Sequence, residues 1–338
     1  MKILYLGNLL QHKGLSPTTI DSLSVKLKEL GYTVKVFSRK DNMLLRMFDM
    51  LKGIWNNKDT SIVLIDTYST KAFIYAVLCS LFCQILKIKY IPYLHGGNLP
   101  NRLKVNPKIC RLIFSNSFMN VAPSAYLENV FLANGYSNTI LIPNTIEIQN
   151  YSFLERDVRV PKILWVRAFA EIYNPKLAVD VLVNLKKTFP EAELCMVGPD
   201  KDESLSITQQ YANEKDVKVI FTGKLSKKEW VNLSKNYNIF LNTTNFDNTP
   251  VSVMEAMALG LAVVSTNVGG LPFLINDKVD GILAESNNSL ALSGAIQNLM
   301  SDLALYKNII FNARKKAQSW DWSEVKTKWI SLFNSLED

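Results

Sequence analysis

Short apolar runs alternate with longer segments whose apolar positions recur at helical spacing, from the first residues of the chain onward. The runs near 2–6, 33–37, 61–65, 90–94, 119–122 and 139–142 predict strands. The segments near 18–30, 43–56, 71–87, 108–117 and 124–134 predict helices between them. The pattern restarts at residues 162–166, KILWV, with a helix expected over 175–187 and strands over 193–197, 217–222, 239–241 and 262–265. Helices follow near 288–301 and 304–317. Strand–helix alternation of this kind predicts a parallel, doubly wound α/β architecture, and its restart predicts two such domains. Polar residues over 147–159 read as the linker, so the expected domains are 1–145 and 146–320. A terminal helical stretch, 321–338, carries Val325, Trp329, Leu332 and Phe333 on one face.

A chain of 338 residues is long enough for two separate cores, and 48% hydrophobic with 20% charged residues fits a globular protein. The net charge of +8 is unevenly placed: residues 1–145 hold 17 Lys and Arg against 7 Asp and Glu, the rest 21 against 23. A basic first half attracts anionic lipid, phosphorylated acceptors or nucleic acid. It has no aromatic RNA-binding strand, zinc-finger spacing or arginine run, so nucleic acid is not expected as a partner. Four cysteines show no metal-ligand spacing, and Cys79 and Cys83 lie in an apolar helical segment, as reduced core residues of a cytosolic protein would. Residues 72–86 are apolar but short for a membrane span. Residues 2–6 read directly as a strand, so no signal peptide is expected. A cytoplasmic protein is expected, either free or peripheral on the inner face of a membrane.

Ligands of doubly wound sheets lie at the carboxyl ends of strands, which directs attention to the connecting loops. The loop over 7–18 contains Gly7, His12, Lys13 and Gly14 without the GxGxxG fingerprint, so no dinucleotide is inferred. The loop over 95–102 places His95 at a strand end, followed by Gly96, Gly97, Asn98 and Arg102. Asp200 and Asp202 form an acidic turn that is weak evidence for a metal. The most informative stretch is 238–272. It reads as strand, polar loop over 242–249, helix entered through Thr249 as N-cap and Pro250 as first residue, Gly260 as helix end, then strand. Asp247 and Glu255 flank a helix start whose free N–H groups and partial positive charge suit a phosphate. The alternative is a capped helix whose acids merely face solvent.

The series Asp247-(seven residues)-Glu255, Ala256-Met257-Ala258-x-Gly260 and Val268-Gly269-Gly270-x-Pro272 resembles the donor-site signature of family-4 glycosyltransferases. Residues 143–147, PNTIE, resemble the inter-domain junction of the same family. The resemblance implies the GT-B fold, two Rossmann-like domains with doubly wound parallel sheets facing each other across a cleft. It also implies a retaining enzyme of the hexosyltransferase type. By it, Asp247 contacts the transferred sugar, Glu255 the ribose hydroxyls, and Asn248, Thr249, Pro250, Val251 and Ser252 the diphosphate. Arg167 matches a diphosphate-binding arginine. The companion lysine six positions later is Tyr173 here, with Lys176 nearest. Gly198, Gly223 and Lys224 would sit near the nucleotide, with Gly14 also on the donor side and His95 beside the transferred sugar. His12, Lys13, Asn98 and Arg102 would face the acceptor.

The function so implied moves a sugar from a UDP- or GDP-sugar to a hydroxyl of a glycan or lipid-linked acceptor, in cell-surface polysaccharide or lipopolysaccharide synthesis. No cofactor or metal is implied, and the basic half suggests an anionic membrane surface. A nucleotide-sugar 2-epimerase of the same architecture and a non-catalytic nucleotide-sugar-binding protein are the alternatives.

Overall fold

The structure is a computed structural model that describes residues 1–9 and 18–336. The chain divides into two units, Met1–Pro143 together with the residues from Ser331 on, and Asn144–Ile330.

In the first unit the elements run β1 (Lys2–Leu6), α1 (Thr19–Glu29), β2 (Thr33–Phe37), α2 (Met43–Trp55), β3 (Ile62–Thr67), α3 (Phe73–Ile85), β4 (Tyr90–Leu94), α4 (Leu99–Val105), α5 (Pro107–Phe114), β5 (Asn120–Ala122), α6 (Ala125–Ala133) and β6 (Thr139–Leu141). The strands form one sheet in the order β2-β1-β3-β4-β5-β6, and every pairing is parallel. Every residue of β3 and β4 is buried, which is why both read as unbroken apolar runs rather than alternating ones. Leu4, Leu6, Val63 and Ile65 pack with Met47, Met50 and Ile54 of α2 and with Cys79 and Cys83 of α3. A second cluster joins Leu94, Leu99, Cys110, Phe114 and Phe131.

The second unit continues with β7 (Lys162–Val166), α7 (Pro175–Lys186), β8 (Glu193–Val197), α8 (Ser204–Glu214), β9 (Ile220–Gly223), α9 (Lys227–Leu233), β10 (Ile239–Asn242), α10 (Val251–Leu259), β11 (Ala262–Thr266), α11 (Leu271–Leu274), β12 (Ile282–Ala284), α12 (Ser289–Ser301) and α13 (Leu303–Gln318); α14 (Trp322–Asn334) begins in this unit and ends in the first. Its sheet order is β12-β11-β10-β7-β8-β9, again wholly parallel. Successive side chains of β7 point to opposite faces: Ile163 and Trp165 join α7 and α12 in one core, Leu164 joins α10 in the other. Both sheets have flanking helices, so each unit has the doubly wound α/β architecture expected of it.

Local detail departs from expectation in three places. Helix α10 starts one residue later than predicted, with Pro250 as N-cap in extended conformation and Val251 as the first helical residue. Four helices, α4, α8, α9 and α11, were not anticipated; α4 and α9 are only seven residues long and α11 four, too brief for a periodic pattern. The polar stretch over 147–159 is packed rather than free. Tyr151 is buried, and Arg156 donates to the carbonyls of Leu154 and Leu259 at 2.8 Å each.

Gly260 ends α10 in the left-handed region at φ 76°, and a Cβ there would press on the Phe153 ring and the Leu154 carbonyl oxygen. Gly260→Ala therefore adds conformational strain of about 1–2 kcal/mol to a steric clash. A lowered melting temperature, by several degrees, is expected in a thermal-shift measurement.

Candidate active site

In the second sheet, neighbours β7 and β10 mark the point where strand order reverses, and such a switch point opens a crevice at the strands' carboxyl ends. Arg167 follows β7 directly, and the loop from Thr243 to Pro250 follows β10. Hydroxyls tie that loop down. Thr243 Oγ1 donates to the Tyr173 carbonyl at 2.9 Å and accepts from Trp165 Nε1 at 3.0 Å. Thr266 Oγ1 holds the Thr244 carbonyl at 2.6 Å, and the Asn245 N–H reaches the Ile172 carbonyl at 2.8 Å. The loop's far end lies on Gly269 and Gly270: the Gly270 N–H donates to the Asp247 carbonyl at 2.8 Å. A Cβ on Gly269 would collide with the Asp247 carbonyl oxygen, and one on Gly270 with that of Asn248. The glycine pair is thus required by close backbone approach.

These restraints bring Arg167 and Asp247 into an ion pair, with the guanidinium stacked 4.3 Å over the Tyr173 ring. Burial pushes the Arg167 guanidinium below its ordinary value and Tyr173 pulls it back; a guanidinium stays charged at neutral pH. Arg167 Nε and Ser252 Oγ are both buried with no hydrogen-bond partner among the described residues. Ser252 lies at the opening of α10, where the N–H groups of Val251 and Ser252 precede the first bond, from Val253 N–H to the Pro250 carbonyl at 3.0 Å. The other end of α10 is closed. Arg314 donates to the Ala258 carbonyl at 2.7 Å and Arg156 to that of Leu259 at 2.8 Å. The cations at the negative end of the helix dipole are built in, whereas its positive end, with Arg167 and Ser252, is set to receive an anion.

One turn along α10, Glu255 is 3% exposed. Its Oε1 accepts from Tyr151 Oη at 2.8 Å and pairs with the Lys227 ammonium of α9. Burial, then Glu255 itself, raise the Tyr151 pKa, so the phenol remains a neutral donor. A carboxylate this deep persists only with such partners. Among the described residues both bonds fall on Oε1, which leaves Oε2 for other donors.

The first unit repeats the arrangement with different chemistry. Its switch point lies between β1 and β3, where Asp66 is the last residue but one of β3, 4% exposed. Asp66 Oδ1 accepts from Tyr5 Oη at 2.9 Å and lies 2.9 Å from His95 Nε2; Oδ2 is 3.4 Å from Tyr68 Oη. Gly7 leaves the room this needs, since a Cβ there would strike the Asp66 carboxylate. Burial, followed by Asp66, raises the pKa of Tyr5, Tyr68 and Tyr93, keeping all three phenols neutral. The His95 ring lies 4.1 Å from Tyr93 and 5.6 Å from Tyr68.

Of the residues singled out from the sequence, Arg167, Asp247, Asn248, Thr249, Pro250, Val251, Ser252 and Glu255 fall in or beside one pinned loop and helix start. Gly198 follows β8, and a Cβ on it would collide with the Arg167 carbonyl oxygen, so it shapes the turn that carries Arg167. Gly223 ends β9 at φ 70° with exposed Lys224 next to it. Lys176 is exposed, its ammonium 5.3 Å over the Tyr211 ring; Tyr173 is the residue stacked with Arg167. In the first unit, Asn98 is exposed at the head of α4. Arg102 is engaged with backbone, donating to the Ser69 and Thr70 carbonyls at 2.7 and 3.3 Å. His12, Lys13 and Gly14 lie outside the described residues. Asp200 and Asp202 accept backbone and hydroxyl bonds at the start of α8, and no group of three or more metal-ligating side chains occurs among the described residues.

Sequence reasoning missed Asp66, Tyr5, Tyr68, Tyr151 and Lys227. Asp66 had a signal: it is an isolated acid at the carboxyl end of an apolar strand. Tyr151 and Lys227 reach Glu255 from 104 and 28 residues away, which no spacing encodes.

Residues 151–316 match the family described as Glycosyl transferases group 1. The N,N'-diacetylbacillosaminyl-diphospho-undecaprenol alpha-1,3-N-acetylgalactosaminyltransferase of Campylobacter jejuni is 30% identical over 111 residues, 33% of this chain and 30% of that enzyme. An uncharacterized glycosyltransferase of Methanocaldococcus jannaschii, MJ1178, is 23% identical over 278 residues, 80% of this chain and 75% of that protein. Among solved structures, Anabaena Alr3699/HepE in complex with UDP and glucose superposes with a TM-score of 0.76, covering 99% of this chain and 100% of that one. At 17% identity that likeness speaks for the fold alone. No helix among the described residues is long and apolar enough to cross a membrane. With its loop motif, its sheet orders and these relatives in agreement, residues 151–316 are similar to the glycosyl transferases group 1, and the chain has the GT-B fold.

Proposed function

We propose that the protein transfers a hexosyl residue from a UDP- or GDP-sugar, with retained anomeric configuration and without a metal, to a hydroxyl of a lipid-linked glycan. It would do so in the cytoplasm, at the inner face of a membrane, during synthesis of a cell-surface polysaccharide or lipopolysaccharide. The observation that carries the donor assignment is the pair of buried, partnerless groups, Arg167 Nε and Ser252 Oγ, at the open end of a nine-residue helix. Buried polar groups are nearly always satisfied, so two such orphans beside free helix N–H groups call for an anionic ligand. Arg167 and the helix mouth take the diphosphate, Glu255 Oε2 the ribose diol, and Asp247 the hydroxyls of the sugar. Gly198, Gly223 and Lys224, beyond the ends of β8 and β9, border the base. As the C1–O bond to phosphate breaks, charge grows on the departing oxygen, where Arg167 and the helix dipole stabilise it. The acceptor oxygen forms the new bond to C1 and its proton passes to that departing phosphate oxygen.

The lipid-linked acceptor is supported by the Campylobacter relatives, whose names give undecaprenol-linked acceptors. UDP and UDP-glucose occupy the Anabaena structures of the same fold. Incubation with a panel of UDP- and GDP-sugars and a lipid-linked acceptor tests the reading. A product whose anomeric proton shows the donor's configuration by NMR is expected. Epimerised donor, or tight nucleotide binding with neither transfer nor hydrolysis, would overturn it.

Two substitutions probe its parts. Ser252→Ala removes a hydroxyl that is unsatisfied in the free protein, so the melting temperature of the free protein should hold or rise. Affinity for UDP or GDP should fall on the order of tenfold, the loss of one hydrogen bond to a charged group. Calorimetry and thermal shift read the two opposite signs. In the first unit, Asp66→Asn disturbs the carboxylate that fixes His95. Turnover should drop on the order of 10–100-fold, as for other orienting partners, while the nucleotide Kd stays unchanged. An unaltered rate would remove the His95 cluster from the reaction.

A further inference from the structure

Helix α2 has an unusual composition for a surface helix. Its inner side, Met47, Met50 and Ile54, is buried in the first unit's core, yet its outer side also exposes large apolar side chains. Leu44 is 70% exposed, Phe48 69% and Trp55 55%, along one stripe of the helix. Lys52 lies in the same stripe, four residues after Phe48, so the outer side mixes large apolar side chains with a basic one. The neighbouring α3 also exposes apolar side chains: Ile74, Leu78 and Ile85 recur on one exposed face, Ile85 at 75%. The two helices touch through Trp55 stacked on Phe82 at 6.3 Å. Beyond α3, Gln84 donates to the Leu112 carbonyl of α5 at 3.0 Å, and α5 exposes Ile109 and Leu112. Three adjoining helices therefore present outward apolar side chains next to one another, the kind of exposed apolar surface that marks an interaction site.

Charge decides what covers this face. From Thr67 to Leu127 the sequence contains seven Lys and Arg and no acid. Lys108 and Arg111 alternate with Ile109 and Leu112 on α5, and Lys58 lies 3.1 Å over the Trp55 ring. Asp49 is the one acid within α2, α3 and α5. Two copies of so basic a face would repel each other, whereas an anionic bilayer offers apolar depth and opposite charge together.

We propose that the outer faces of α2, α3 and α5 form a membrane-docking surface that seats its apolar side chains in the interface of an anionic bilayer. Basic residues contact the headgroups around them, and aromatic Phe48 and Trp55 settle at headgroup level. This builds on the reading that the acceptor is carried by a lipid, and it names the surface that would bring the enzyme to it.

The test is co-sedimentation of the full chain with phosphatidylcholine vesicles, with and without phosphatidylglycerol, at low and high salt. Binding to the anionic vesicles alone is expected, and part of it should survive high salt because apolar insertion is not screened. The double variant Leu44→Ser, Phe48→Ser should lower partitioning at least tenfold and abolish the salt-resistant part. Lys108→Gln with Arg111→Gln should weaken only the salt-sensitive part. Binding unchanged by the double variant would overturn the proposal. So would a concentration-dependent dimer, seen in ultracentrifugation of the lipid-free protein and lost in the double variant, because a second copy would then own the face. Donor hydrolysis or transfer to a water-soluble acceptor, measured in parallel, keeps the two readings apart. Wild-type protein that turns over donor without binding anionic vesicles sinks the docking surface alone, and vesicle binding without turnover sinks the transferase reading alone.

Discussion

The second unit depends on one close approach, the backbone of Asp247 and Asn248 lying against that of Gly269 and Gly270 with no space for a Cβ. That contact, with the Gly270 N–H bonded to the Asp247 carbonyl, fixes where the loop turns into α10. The loop's other side is held by Thr243, Thr244 and Asn245 against the backbone of Ile172 and Tyr173. Clamped from both sides, the loop sets Asp247 against Arg167, and a cation ends up buried beside a helix mouth, paired among the described residues with that one carboxylate. The electrostatics of the site thus follow from backbone packing.

Helix α10 turns that packing into polarity. Its body from Val253 to Leu259 is buried throughout, and the negative end of its dipole meets Arg156 and Arg314. Neutralising one terminus while leaving the other open concentrates the helix's electrostatic effect where an anion can bind. Glu255 sits within this apolar body, held by Tyr151 and Lys227, and the exposed ammonium can swing away when another donor arrives. A carboxylate reached by two hydroxyls of a ribose would replace one partner by others without being left bare, which is the condition for burying a charge at all.

The sequence made the parallel sheets legible because buried strands such as β3 and β4 read as unbroken apolar runs. It made the loop before α10 legible because Gly269 and Gly270, Pro250 and Gly260 each mark a backbone requirement. What it concealed were contacts between distant segments. Tyr151 belongs to a stretch that looks like a polar linker, and Arg156, in the same stretch, caps α10. Lys227 is one lysine among many until its helix is placed. Position six after Arg167 was read as a missing cation, yet Tyr173 answers it with a ring face over the guanidinium, an interaction that a charge pattern cannot express. Asp66 went unnoticed because attention fell on loops after β1 and β4, whereas the switch point makes β3 the partner of β1.

That topology accounts for both clusters at once. In each sheet the strand order reverses beside the first strand of the unit, β1 or β7, and the chain leaves the paired strands in opposite directions, opening a gap at their carboxyl ends. The same opening is furnished differently in the two units. In the second it holds a guanidinium, an unsatisfied hydroxyl and a helix start, groups suited to spreading negative charge. In the first it holds a buried carboxylate ringed by phenols and one imidazole, groups that direct hydrogen bonds without adding net positive charge. Breaking a bond to phosphate needs the first kind of environment. Orienting a neutral sugar needs the second, since its hydroxyls are told apart by direction rather than by charge. A fold that repeats one crevice can therefore divide the two demands of glycosyl transfer by changing only the residues at the strand ends.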